Sequence, residues 1–180
     1  MNKKIKLLLT LDGFRIFSLG LLGPIYAIFV EKIGGDVLEA GAAFALYSIV
    51  LGIFAIVVGK LGDRVKNQTV LLLIGYSLLS VGFFGYLFVE RSLHLMLVQV
   101  ILGIGGAFAA PVFDGIFSAN LDKGRYNSEW ADWEAVNYIA TGVAAIAGSL
   151  IVTYFGFDVL FMVMGLSSLG SLAFLYHLKD

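Results

Sequence analysis

The chain has no cysteine, which excludes disulfides, thiolate metal sites and thiol chemistry and leaves the redox compartment unread. Two prolines, two histidines and 14% charged residues complete the list of scarcities; an ordinary soluble domain carries about 25% charge. Metal ligation could fall only to carboxylates and the two histidines, and no metal or cofactor is expected. Twelve basic and 13 acidic residues leave a net charge of -1, so there is no basic surface for nucleic acid and no such partner is expected. What the chain has in excess is apolar. Its 180 residues are 59% hydrophobic with 22 glycines, and the mean hydropathy is +0.93. Folded in water it would leave large apolar surfaces uncovered, so the lipid bilayer is its expected surrounding.

Six apolar segments approach the roughly 20 residues needed to cross about 30 Å of hydrocarbon. They run from Ile5 to Val30, Leu38 to Gly59, Thr69 to Val89, Leu93 to Phe117, Trp133 to Phe155 and Val159 to Leu178. Short polar stretches separate them, and little remains for a soluble domain. The expected fold class is all-α, a polytopic membrane protein of six transmembrane helices forming one domain over 1–180. The Met1-Asn2-Lys3-Lys4 opening imitates a signal peptide. Asp12 and Arg15 interrupt its apolar core and no small-x-small cleavage site follows, so a spanning helix is expected instead.

Basic residues in short loops stay cytoplasmic. With both termini inside, Lys3, Lys4, Lys6, Lys60, Arg64, Lys66, Lys123, Arg125 and Lys179 fall on the inner side, and Lys32 and Arg91 on the outer. That bias predicts a single insertion sense with cytoplasmic termini, and it counts against assembly from oppositely inserted copies.

Ionisable groups within spans need partners or water, at about 2.5–3.5 kcal/mol each near a helix centre. Asp12 and Arg15 are three apart and share a helix face. They either neutralise one another or line a cavity for an ion or substrate. On the fourth segment Gln99, Gly103, Gly106 and Ala110 form a small, polar track with Asp114 near its end, and on the fifth Trp130, Glu134, Asn137, Thr141 and Gly148 recur at helical spacing. Tight packing accounts for the glycines; Glu134 and Asn137 ask for more. Asp12, Arg15, Gln99, Glu134 and Asn137 are the candidates for a substrate or ion cavity. The third and sixth segments carry no charge between Thr69 and Val89 or between Val159 and Tyr176, which suits walls facing lipid.

Pro24 and Pro111 lie at similar depths in the first and fourth segments. Those segments cross the membrane in opposite senses, as an inverted 3+3 repeat (1–92 and 93–180) requires. Between the second and third segments stands Gly59-Lys60-Leu61-Gly62-Asp63-Arg64-Val65-Lys66-Asn67-Gln68. This stretch resembles the helix 2–3 loop signature of the major facilitator superfamily, with Gly59, Leu61, Asp63 and Arg64 in place, Lys66 where a second glycine is usual, and Asn67 and Gln68 in place of the basic pair. Leu102-Gly103-Ile104-Gly105-Gly106-Ala107 before Pro111 is similar to the same superfamily's helix 4 motif, with Gln99 in the usual arginine position and Leu102 in the glutamine position. Ala144-Ala145-Ile146-Ala147-Gly148-Ser149 falls where antiporter members carry Gly-Pro, without the proline.

The resemblance covers the N-terminal half of a family member. It implies a secondary transporter of a small solute that alternates access, here a half-size subunit acting as a homodimer or with a second six-helix half, and not an enzyme. It also implies a gating loop of Gly59, Leu61, Asp63 and Arg64, in which Asp114 is expected as the carboxylate partner of Arg64. A membrane enzyme is poorly served by the residues present, since His94 and His177 sit at segment ends and no Ser/His or Asp/His constellation lies within one helix. A non-transporting helical module, an incomplete copy and a channel remain as other readings.

Overall fold

The computed structural model describes residues 2–176, and among these every regular element is helical. Helices α1 (Lys3–Leu22) and α2 (Tyr26–Lys32) make one broken span. They are followed by α3 (Val37–Gly62), α4 (Gln68–Gly85), α5 (Ser92–Ala119), α6 (Tyr126–Phe155) and α7 (Phe157–Tyr176). Six spans are long and apolar enough to cross a membrane. Backbone hydrogen bonding explains the choice, because a segment in lipid must satisfy its own N–H and C=O groups.

The helix ends follow from local chemistry. Asn2 caps α1 by accepting the Ile5 N–H at 2.9 Å. Asp36 and Glu39 form a reciprocal capping box at the start of α3, which satisfies two otherwise orphaned donors. Between α6 and α7 the chain reverses across Gly156 alone, at φ 84°, a conformation that costs glycine little. Pro24 sits in the 3-10 turn Gly23–Ile25 that breaks the first span, whereas Pro111 lies within an uninterrupted α5. The two prolines are thus matched in depth but not in local conformation.

The span starts differ from the sequence expectation by one or two residues, save one. The largest difference is at α6, which begins at Tyr126, seven residues before Trp133. Polar residues there mark the end of the hydrocarbon layer, not of the helix, since a helix projecting into water keeps its own hydrogen bonds. The first span likewise extends from Lys3 to Lys32.

Packing gives the unit its shape. Helix α1 packs on α6 and α7, α5 packs on α3 and α4, and α4 joins α7. The spatial order is therefore α6, α1, α7, α4, α5, α3, a crescent closed along its back by the α4–α7 contact. Tyr76, Phe83, Phe113, Phe117 and Phe161 are among the largest fully buried side chains. The outward face of α4 exposes Val70, Leu73, Ile74 and Val81 and that of α7 exposes Met162, Leu166 and Leu169, as walls facing lipid should. At the crescent tips, α3 and α6 are bare over most of their circumference: only 11% of the residues in each apolar window are buried.

Small residues set the crossings. A Cβ on Gly148 would fall on the Leu21 carbonyl, and one on Gly20 would lie 2.9 Å from the Ala144 methyl, so α1 and α6 approach with almost no side chain between them. Gly75 and Gly105 play the same part for α4 and α5, where a Cβ at Gly75 would lie 2.7 Å from the Ala109 nitrogen. Close backbone approach of this kind gains dispersion energy that lipid cannot supply through a hydrophobic effect.

Candidate functional site

The interior of the crescent holds two polar groupings at different depths. The first is built on Asp12, fully buried in α1. Arg15 closes on its carboxylate through both Nε and Nη2, the latter at 3.1 Å from Oδ2. The indole Nε1 of Trp133, from α6, donates to Oδ2 at 2.9 Å, and the Tyr76 hydroxyl, from α4, donates to Oδ1 at 3.3 Å. Four donors on one carboxylate account for its acceptor capacity. Charge pairing and full hydrogen bonding are what make such a burial tolerable. Three helices are thereby tied at one point. Asp114 of α5 is exposed and lies within Coulombic range of Asp12 and Arg15.

The second grouping lies toward the opposite ends of the helices. Gln99, buried in α5, donates from Nε2 to the Tyr26 hydroxyl of α2 at 2.7 Å. Tyr47 and Tyr86 line the same cavity, so three phenols gather near one amide. The cavity is about 300 Å³, and its lining also includes Phe44, Phe83, Leu102 and Met164. Gly23, at the break in the first span, leaves room on its side of the cavity, for a Cβ there would meet no atom within 4 Å.

The five cavity candidates separate accordingly. Asp12 and Arg15 belong to the saturated node, and Gln99 belongs to the aromatic cavity. Glu134 is exposed on α6 and Asn137 is half-buried one turn further on. Neither touches the Asp12 node through a hydrogen bond among the described residues. The fifth-segment stripe did not single out Trp133, and no sequence signal joined Tyr76 to Asp12, since they are 64 residues apart.

The loop motif is a tight turn. Asp63 caps α3, its N–H donating to the Gly59 carbonyl at 3.2 Å, and Arg64 N–H donates to the Leu61 carbonyl at 3.0 Å. Gln68, the first residue of α4, reaches back to the Gly62 carbonyl at 3.1 Å. Gly62 is buried and faces Val112 of α5, which places the turn beside the α5 end that carries Asp114. The expected ion pair between Arg64 and Asp114 does not form among the described residues: both side chains are exposed and remain apart. An exposed ion pair there would gain at most about 1 kcal/mol. His94 is half-buried and accepts from Arg91 Nε at 3.1 Å. His177 and Lys179 lie outside the described residues.

Comparison with known proteins gives a consistent likeness. The model of the Major Facilitator Superfamily matches residues 9–180. An uncharacterized MFS-type transporter of Methanocaldococcus jannaschii is 25% identical over 150 residues, which is 83% of this chain and 39% of that protein. The uncharacterized MFS-type transporter YitZ of Bacillus subtilis is 24% identical over 148 residues, 81% of this chain and 88% of that protein. In fold, the chain is similar to the crystal structure of the POT family transporter PepTSo, with a TM-score of 0.84 at 16% identity, covering 98% of this chain and 37% of that one. The chain thus spans well under half of the archaeal relative and of the solved structure, and most of YitZ.

Proposed function

This chain belongs to the major facilitator superfamily, and on that premise we propose that it is a six-helix unit of a membrane transporter that moves a small solute by alternating access, completed by a second six-helix unit. The observation that carries the reading is the bareness of α3 and α6 together with Glu134 on the exposed side of α6. Glu134 stands just inside the hydrocarbon edge at Trp133, where a carboxylate on a bare apolar helix favours an aqueous passage or a protein neighbour over lipid. A second unit set against the two tips would enclose the concave face and give Glu134 that surrounding.

The packing supports an inverted repeat of 1–92 and 93–180. If the first, second and third spans exchange with the fourth, fifth and sixth, the α1–α6 contact maps onto α5–α3, α1–α7 onto α5–α4, and α4–α7 onto itself. The second unit would be another copy in the same membrane sense, or a separate half, with termini on the cytoplasmic side as the Lys and Arg distribution favours. In this reading Arg15, Gln99, Glu134 and Asn137 line the passage, and Asp12 holds Arg15 in place. Asp63 and Arg64, in a turn beside α5, form the latch of one conformation with Gly59 and Leu61 shaping the turn. Asp114 would meet Arg64 only in another state of the cycle.

The lack of native cysteine makes the test direct. Glu134→Cys should react with a membrane-impermeant maleimide both in intact cells and in inside-out vesicles, whereas Leu169→Cys on the outer wall of α7 should stay unlabelled. Reaction of Glu134→Cys from one face only, or from neither, would overturn alternating access through this passage.

A further inference from the structure

The 300 Å³ cavity around Gln99 carries a chemical preference of its own. Its lining includes five aromatic rings, Tyr26, Phe44, Tyr47, Phe83 and Tyr86, and among the described residues no Lys, Arg, Asp or Glu. Arg15, whose charge reaches Tyr47, is already paired with Asp12, so the pair presents no net charge to the cavity. An ion entering here would lose water without gaining a counter-ion. A sugar would surrender many hydrogen bonds to a wall that returns few.

Size and polar placement narrow the occupant further. An apolar cavity of about 150 Å³ accepts one benzene ring, so twice that volume suits about two or three fused rings. Gln99 is buried, gives one N–H to Tyr26 and turns its amide toward the Tyr86 hydroxyl as well, so its carbonyl oxygen is what it has left to meet a ligand. The three phenol hydroxyls beside it can donate or accept. We propose that this cavity is the solute site of the transporter unit and that it selects an uncharged compound of two or three fused aromatic rings bearing a hydroxyl or carbonyl group. The proposal rests on the transporter reading of the fold and names the substrate class for it. Phe44, exposed on α3, stands at the mouth. Each ring stacked on the solute multiplies affinity by about two- to tenfold over mere burial, which is why a saturated compound of equal size should be refused.

The test uses 1-naphthol as the probe, titrated calorimetrically against the full chain in nanodiscs with empty nanodiscs subtracted. Saturable binding is expected, at least about tenfold tighter than for decahydro-1-naphthol, 1-naphthalenesulfonate or 1-methylquinolinium. Gly23→Leu, which fills the cavity from a position with free space, should abolish it, and Gln99→Leu should weaken it about fivefold to tenfold through loss of the amide contact. Should Gly23→Leu fail to fold, Tyr47→Leu tests the same wall and should weaken binding to a similar degree. Uptake no greater than in empty nanodiscs, equal binding of the sulfonate or the quinolinium, or unchanged binding by the filled variant would overturn the proposal. Binding of 1-naphthol without two-sided labelling of Glu134→Cys would uphold the cavity and remove the transport cycle. Two-sided labelling without naphthol binding would uphold the cycle and remove this substrate class.

Discussion

Asp12 shows how a single residue can look like a ligand-binding group in the sequence and act as a fastening in the fold. Its carboxylate is surrounded by Arg15, Trp133 and Tyr76, and removing one charge leaves the other buried without compensation. That cost is about 3–5 kcal/mol for a buried pair. Asp12→Asn should therefore lower the melting temperature in detergent strongly, and Asp12→Asn combined with Arg15→Gln should recover part of the loss. Equal melting of the single and double variants would contradict a coupled pair. Trp133→Phe keeps the ring and deletes one donor to a carboxylate, about 1.5–3 kcal/mol, and should fall between wild type and Asp12→Asn in the same measurement. The pairing of Asp12 with Arg15 was legible from their spacing of three. Its completion by Trp133, 121 residues away, was not, because helical periodicity relates residues on one helix and says nothing of which face meets which neighbour.

Among the elements, glycine is the residue that decides where helices can meet. Gly148 has no room for a methyl group against the Leu21 carbonyl, whereas Gly142, on the same helix, would meet nothing within 4 Å. Gly148→Ala should destabilise the unit by about 1–3 kcal/mol through forced separation of α1 and α6. Gly142→Ala should change stability by less than about 1 kcal/mol, in the stabilising direction because alanine is the better helix former. Thermal unfolding of the two variants side by side checks this, and an equal effect would refute the crossing as the cause. Gly103 and Gly106 on the fourth segment and Gly148 on the fifth were visible in the sequence as small residues of a stripe. Which neighbours they meet was not: Gly103 and Gly106 face Tyr47 and Leu51 of α3, and Gly148 faces the Leu21 carbonyl of α1. The start of α6 escaped the hydropathy signal for the related reason that hydropathy reports where lipid ends and not where helical hydrogen bonding ends.

For the whole molecule, the crescent leaves its two tips as the least buried spans. In lipid an apolar helix stands alone without a hydrophobic penalty, so bareness by itself does not force association; the exposed carboxylate of Glu134 supplies the reason. If a second copy closes the passage, Ile53→Cys on α3 and Ile146→Cys on α6, both on exposed faces, should crosslink between copies in native membranes. Leu169→Cys on α7 should not. Crosslinking at Leu169 alone would place the partner on the back of the crescent and contradict the enclosed passage.

Composition and hydropathy determined that this chain crosses a bilayer six times, because a backbone in hydrocarbon has no water to bond with and must coil into helices of bilayer length. Local spacing placed Asp12 and Arg15 on one helix face, and the family resemblance marked the loop from Gly59 to Gln68. Tertiary structure alone decided that α1 packs on α6 and α7 while α5 packs on α3 and α4, that Asp12 is saturated, that no ion pair joins Arg64 to Asp114 among the described residues, and that aromatic rings from three spans gather around Gln99 of a fourth. Those outcomes depend on which helix faces approach one another, and that is fixed by the fit of small residues against backbone at the crossings, a property of pairs of surfaces that no single segment carries.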